Sequence, residues 1–552
     1  MKDIDKKLHI ISRKEEEDLT QIKAKNLSLP YLDLTFFPLN PSVIQLIDEK
    51  DARNAGIIVL DKIGNHMKVA CLNCTDDLPH RIITTFKDQG IRVDEYIVSE
   101  SSIHKAWQFY QSVENQQTMS DLVIIHKDFL DGLTQHITDL SAIQQLFLNK
   151  NTTELIELIL AGGMRMKAGD IHIESYPAYS QIRYRIDGIL QDIAQINKVS
   201  YTQLLDRLKL ISNVSLNITD AAQDGRFSVH IIQDNATVER IDIRISFLPE
   251  KDQESVVMRL LGVGVEKLNL ENLGVREFFY HTLKEQAKKT NGMILVTGPT
   301  GSGKTTTLYA LLNYLNTPEV KIITVEDPIE YQVSGITQTQ TSDHYSFSDA
   351  LRAILRQNPN IIMVGEIRDE ETAKIAVESS LTGHLVLSTL HTNNAVGTIS
   401  RLLDFEVKER IISSSLNIAI AQRLVRSVCS YCKEQAVAST IQQQKIDAVL
   451  DTFPDSLKHL IPQKIDTMAH AKGCAQCYGL GYKGREPVME TLIVSEQIRK
   501  LITGGADLDD IADQAQKEGN MTMMQDGILK VLSGTTTLEE VERALGEIIV
   551  AE

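Results

Sequence analysis

The chain has 552 residues, 42% of them hydrophobic and 24% charged, a balance that fits globular domains and excludes a disordered or membrane-embedded chain. At ~150 residues per domain there is room for three or four. A formal net charge of −17 argues against general electrostatic wrapping of DNA, so basic partners are favoured and no nucleic acid is expected.

The opening "MKDIDKKLHIISRKEEEDL" is too charged for a signal peptide, and no run of about 18 apolar residues follows. A cytoplasmic location is therefore expected. Residues 1–112 mix a charged helical start with the strand-like "AGIIVLDKI" and "MKVACLNC", which fits a small α/β domain. The polar "QSVENQQTMSD" opens an expected linker at 113–140. Over 141–265 a helical pattern leads into "DIHIES", "QIRYRIDGIL" and "VERIDIRISFLP", whose alternation fits half-buried strands of a second α/β domain. Over 266–422 the short apolar strands "MILVT", "KIITVED", "NIIMVGE" and "HLVLSTLHT" alternate with helices, the pattern of a parallel sheet covered on both faces. A cysteine-bearing region at 423–490 and a helical end at 491–552 complete the order.

Gly298, Pro299, Thr300, Gly301, Ser302, Gly303, Lys304 and Thr305, followed by Thr306, match GxxxxGK[ST] between a strand and a helix. Glycines there let backbone N–H groups and the helix N-terminus face phosphates, Lys304 neutralises β/γ charge, and Thr305 can reach Mg²⁺. A plain glycine-rich turn would not need this full set. The motif implies ATP and Mg²⁺ as ligands.

Hydrolysis needs acids at neighbouring strand ends. Glu326 and Asp327 close "ITVED", where a carboxylate can polarise the attacking water. The alternative is a pair that merely caps a turn. Glu366 ends "NIIMVGE" in place of the usual strand-end aspartate, and would act on Mg²⁺ through water. His384 and His391 flank "LVLSTL", where an imidazole can sense a γ-phosphate, although a lone histidine is more often structural.

These blocks, in this order, resemble the secretion ATPases of the type II secretion and type IV pilus systems over about residues 150–552. The resemblance implies a RecA-like P-loop core preceded by a PAS-like α/β domain, a homohexameric ring, and roles for Glu326, Glu366, His384 and His391. It also implies phosphate-directed arginines at Arg244 and Arg259, which by themselves read as solvated strand-edge charges. It implies an inner-membrane platform protein, a cytoplasmic docking protein bound by the N-terminal domain, and pilin-like subunits as indirect partners. Two departures stand out: Gly169 replaces a usual serine and Ala222 a usual proline. The arginine-leucine-glycine pattern of cyclic-di-GMP-binding N-terminal domains is not evident.

Cys429, Cys432, Cys474 and Cys477 form two CxxC knuckles, able to give one Zn²⁺ four thiolates in a closed structural site. Their spacing exceeds that of simple zinc ribbons, but the flanks "AQRLVRSVC" and "GLGYKGR" resemble the tetracysteine region of assembly rather than retraction ATPases. Cys71 and Cys74 also spell CxxC but lack a partner pair, and are expected as core thiols. The leading expectation is an ATP-driven motor for type IV pilus assembly. Type II secretion is the close alternative, and a DNA-transfer motor or a non-hydrolysing scaffold the distant ones.

Overall fold

A computed structural model describes residues 16–27, 29–34, 41–44, 46–63, 66–107, 122–136, 139–147, 150–233, 236–262, 269–342, 344–462 and 467–550. The chain forms two compact units, Met1–Val123 and Ile124–Glu552.

In the first unit, strands β1 (Ile57–Ile63), β2 (His66–Cys71) and β3 (Arg92–Ile97) form one sheet, with β1–β2 antiparallel and β2–β3 parallel. The apolar run Ile57–Leu60 is wholly buried, and Trp107 closes the core by donating its indole N–H to the Ile57 carbonyl at 3.2 Å. Cys71 and Cys74 are buried as expected but are bonded to each other rather than free thiols. The chain turns directly after β2, leaving their Cα atoms 5.2 Å apart, inside the range a disulfide spans.

The second unit contains two large sheets. The first holds β4 (Leu122–His126), β5 (Asp170–Ser175), β6 (Ser180–Ile186), β7 (Ile189–Ile196), β8 (Gln223–Gln233), β9 (Ala236–Leu248) and β10 (Ser255–Leu260), in the order β4-β8-β9-β10-β5-β6-β7. Helices Thr152–Arg165 and Lys198–Ile211 bury their apolar faces, the first opened by a reciprocal cap between Asn151 and Glu154. Residues 122–136 were expected inside the linker; they instead form the edge strand β4 and helix Lys127–His136. The apolar "LVII" that follows the polar run suits an edge strand. The polar run itself, residues 111–121, lies outside the described residues.

The second sheet holds β11 (Gly292–Thr297), β12 (Ile322–Glu326), β13 (Thr337–Gln340), β14 (Ile361–Val364), β15 (Leu385–Leu390) and β16 (Leu416–Val428). A two-stranded sheet, β17 (Lys433–Val437) with β18 (Thr467–Ala471), precedes the last strand, β19 (Tyr482–Ile493). The large sheet runs β13-β12-β14-β15-β11-β16-β19, parallel except for β19, which is antiparallel to β16. Strands β11, β12, β14 and β15 are buried along their whole length because apolar clusters cover both faces. The ladder from Ile418↔Ile493 to Val428↔Tyr482 crosses both expected boundaries, 422/423 and 490/491. The cysteine-bearing segment is thus an excursion between two long paired strands. Helices Glu496–Gly504, Leu508–Lys517, Met523–Leu532 and Leu538–Leu545 close the chain.

Candidate active site and cysteine cluster

The phosphate-loop sequence lies between β11 and helix Lys304–Leu315. Gly303 has φ 87° and is the residue preceding that helix, offering no side chain to cap its first-turn N–H groups. Those groups are the ones an anion meets. Lys304 folds back, its Nζ donating to the carbonyls of Gly298 (2.8 Å) and Pro299 (3.1 Å). Burial lowers the Lys304 pKa; the Glu366 carboxylate pulls it up and the Arg423 guanidinium down. The buried Ser302 Oγ has no partner among the described residues. Thr300, Gly301 and Thr305 are exposed, Pro299 and Thr306 partly so.

Glu326, at the end of β12, is 3% exposed. Its Oε1 accepts from Thr324 Oγ1 at 2.6 Å and Gln338 Nε2 at 3.2 Å, and its Oε2 from the Tyr309 hydroxyl. Burial first, then the Glu326 carboxylate, pushes the Tyr309 phenol well above its ordinary range, so it stays a donor. Val325 pairs with Val364, which brings Glu366 to the neighbouring strand end. Glu366 pairs with Arg368, and its Oε2 lies 3.4 Å from His391 Nε2. Burial lifts its pKa, but the Arg368 hydrogen bond and charge, with His391, more than reverse this and hold the carboxyl below the usual range. Arg368 also reaches Asp327 at 3.3 Å. His391 follows β15, and its loop is tied to the phosphate-loop strand because the Thr392 N–H donates to Thr297 Oγ1 at 2.8 Å.

Lys304, Glu326, Glu366 and His391 therefore gather at one edge of the sheet. His384 does not join them. It precedes β15, beside the start of β11, where the Gly292 N–H donates to its carbonyl at 3.2 Å and its Nδ1 lies 3.0 Å from the Ser379 carbonyl. Arg244 and Arg259 face each other across β9 and β10. Asp170 holds Arg259 at 2.9 Å and Arg185 at 3.1 Å. The Arg259 guanidinium also feels the charge of Glu330, in the same acidic block as Glu326.

Sequence reasoning missed Tyr309, Thr324, Gln338, Arg368 and Gln422. Only Arg368 carried a signal, standing two residues beyond Glu366 in the strand-end motif.

The four cysteine sulfurs all lie within 4.8 Å of one another, with Cys429–Cys474 at 3.9 Å and Cys432–Cys477 and Cys474–Cys477 at 3.8 Å. A tetrahedral ion with bonds of about 2.3 Å to sulfur needs sulfur–sulfur edges of about 3.8 Å. The donor set fits Zn²⁺. The Cys474 and Gly481 N–H groups both donate to Cys477 Sγ at 3.2 Å, which fixes where that sulfur points. Burial pushes Cys432 up to about 12; for Cys474, burial is outweighed by the Gln476 and Cys477 N–H groups and neighbouring sulfurs, which draw it to about 7.

A phosphate loop at a parallel-sheet edge, with two strand-end glutamates beside it, defines a P-loop nucleotide-binding ATPase core. Residues 149–543 match the family described as Type II/IV secretion system protein, and residues 27–117 match the MshEN domain. The type IV pilus assembly ATPase PilB of Myxococcus xanthus is 34% identical over 536 residues, 96% of this chain and 91% of that protein. The type II secretion system protein E of Pseudomonas aeruginosa is 42% identical over 395 residues, 71% of this chain and 75% of that one. Among solved structures, the ATPase DotB of Legionella pneumophila shares the fold, with a TM-score of 0.51 at 20% identity over 72% of this chain and 96% of that one. The chain belongs to the type II/IV secretion ATPase family, and it hydrolyses ATP. Among the described residues no helix is long and apolar enough to cross a membrane.

Proposed function

We propose that this chain is a homohexameric motor that spends ATP hydrolysis on assembling type IV pilus subunits at the inner membrane. The observation that carries the motor reading is the convergence of Lys304, Glu326, Glu366 and His391 on one sheet edge. Alignment with a pilus assembly ATPase along 96% of the chain, the N-terminal unit included, supports the pilus. The higher identity to type II secretion ATPases over the core supports pseudopilus assembly and protein export as the second reading.

In this reading ATP lies along the phosphate loop, and Lys304 leaves the Gly298 and Pro299 carbonyls for the β/γ-phosphates. Thr305 and Glu366 would hold Mg²⁺, an ion that suits their hard oxygen donors. The ion would supply neutralisation of the charge that develops on the phosphates. Glu326 accepts the proton of the attacking water, its carboxylate oriented by Tyr309, Thr324 and Gln338. His391 relays the state of the γ-phosphate to Glu366. Arg244 and Arg259 approach the phosphate from the PAS-like sheet, and His384 serves outside the phosphate edge of its own subunit. Zn²⁺ held by Cys429, Cys432, Cys474 and Cys477 would fix the excursion between β16 and β19. The protein stays in the cytoplasm and meets the membrane through a platform protein and a docking protein bound by the N-terminal unit.

Deleting the chain in its host tests the destination. Surface filaments, and the adhesion, motility or DNA uptake that depends on them, should vanish while exported enzymes still reach the medium. Persisting filaments with folded exoproteins trapped in the periplasm would transfer the assignment to type II secretion.

A further inference from the structure

Gln422 sits in β16 immediately after Ala421, the residue that pairs with Thr297 at the end of the phosphate-loop strand. The strand beside β11 thus delivers this side chain to the phosphate loop, where it is 2% exposed. Its Nε2 donates to the Ser302 carbonyl at 2.8 Å, and its Oε1 accepts from Thr307 Oγ1 at 2.7 Å. One primary amide therefore holds the end of the loop and the first turn of the helix together. A primary amide does both without changing charge, since one end donates to the carbonyl and the other accepts from the hydroxyl.

The backbone of the same residue reaches the loop's beginning. A Cβ built on Gly303 would lie 2.7 Å from Gln422 Nε2, and one on Gly298 would lie closer still to the Gln422 carbonyl oxygen. Both motif glycines are thus required by this close approach as well as by positive φ. Bonded to Gln422 at its end and packed closely against it at its start, the loop keeps its exposed stretch at Thr300 and Gly301, and Lys304 makes the contacts that a phosphate replaces.

We infer that Gln422 is a positioning residue for ATP. It touches no reacting atom. It presets the frame of the phosphate loop, so that binding exchanges the Lys304 contacts without ordering the loop ends, a saving that appears in nucleotide affinity rather than in the chemical step.

Two variants of the full chain test this. Gln422→Glu keeps shape and the acceptor for Thr307 but sets an oxygen against the Ser302 carbonyl. Thr307→Val removes the other bond without charge or volume change. Each should raise the Kd for a fluorescent ATP analogue, and the KM for ATP, by about tenfold, with kcat at saturating ATP within about twofold. The double variant should bind more weakly than either single one, but by less than the product of the two single effects, because the two bonds share one amide. Wild-type affinity in either single variant, or a fall in kcat at unchanged KM, would overturn the inference. Absence of nucleotide binding by the unaltered chain would overturn the phosphate-loop reading with it.

Discussion

Glu326→Gln removes one charge and almost no volume from a residue that is 3% exposed, so its effects on chemistry and on folding can be separated. A positioned general base contributes roughly 10²–10⁴ in rate, or about 3–5 kcal/mol of barrier. The folding cost follows from the three donors aimed at the carboxylate by Tyr309, Thr324 and Gln338. A glutamine offers them one oxygen and turns an NH₂ toward the rest. The two hydroxyls can rotate to accept from it, so the cost should stay at about 1–3 kcal/mol, a few degrees in unfolding temperature. Phosphate release measured at saturating ATP should fall at least about a hundredfold. Binding of a fluorescent ATP analogue should be retained, because the carboxylate belongs to neither the phosphate loop nor Lys304. Turnover within tenfold of wild type would refute Glu326 as the base, and if Glu366→Gln alone binds ATP without hydrolysing it, the two roles exchange.

Lys304→Ala should abolish ATPase activity and filament assembly while circular dichroism stays native, and wild-type turnover would sink the motor reading. Cys429→Ser or Cys474→Ser should lose one equivalent of zinc by metal analysis and lower the protease resistance of the β16–β19 excursion, because a structural zinc site contributes directly to folding; zinc unchanged in both would refute the four-sulfur site, and changing Cys71 should leave zinc alone. Arg368→Ala should move the acid limb of the kcat/KM profile to higher pH. The Glu366 carboxyl is held below its usual range, so its contribution is present above the ordinary carboxylate pKa and lost as pH falls through the depressed one; without Arg368, burial lifts that value. An unmoved limb would show that Glu366 does not control it.

Much of the core was legible because its strands are short, wholly apolar and separated by helical patterns, as a parallel sheet buried on both faces demands. The β16–β19 ladder was not. Its outer half reads "QRLVRSV" on one side and "YKGREPV" on the other, mixed segments whose strand character depends on finding each other across the cysteine-bearing excursion. Similarly, β4 is a short apolar run after a polar stretch, and only pairing with β8 makes it a strand. Cys71 and Cys74 read as core thiols because no second pair matched them, whereas in the structure a local turn lets them bond to each other.

At the site, contiguous motifs were legible and contacts between strands were not. The phosphate loop is local in sequence, and Glu326 and Glu366 stand at strand ends that apolar runs reveal. His384 and His391 belong to one motif, yet they flank the six residues of β15, and the steps along that strand, at ~3.3 Å each, put them about 23 Å apart at opposite ends of it. Proximity in a motif is therefore no guide to proximity in a site once a strand intervenes. The arginines pose the converse case, because Asp170 engages both Arg259 and Arg185, and Arg259 remains about half exposed. An exposed ion pair is worth at most about 1 kcal/mol, whereas a phosphate offers more charge and three acceptor oxygens. Asp170 thus orients Arg259 without sequestering it, and a phosphate brought within reach by domain motion or by an adjoining subunit would win the guanidinium at little cost.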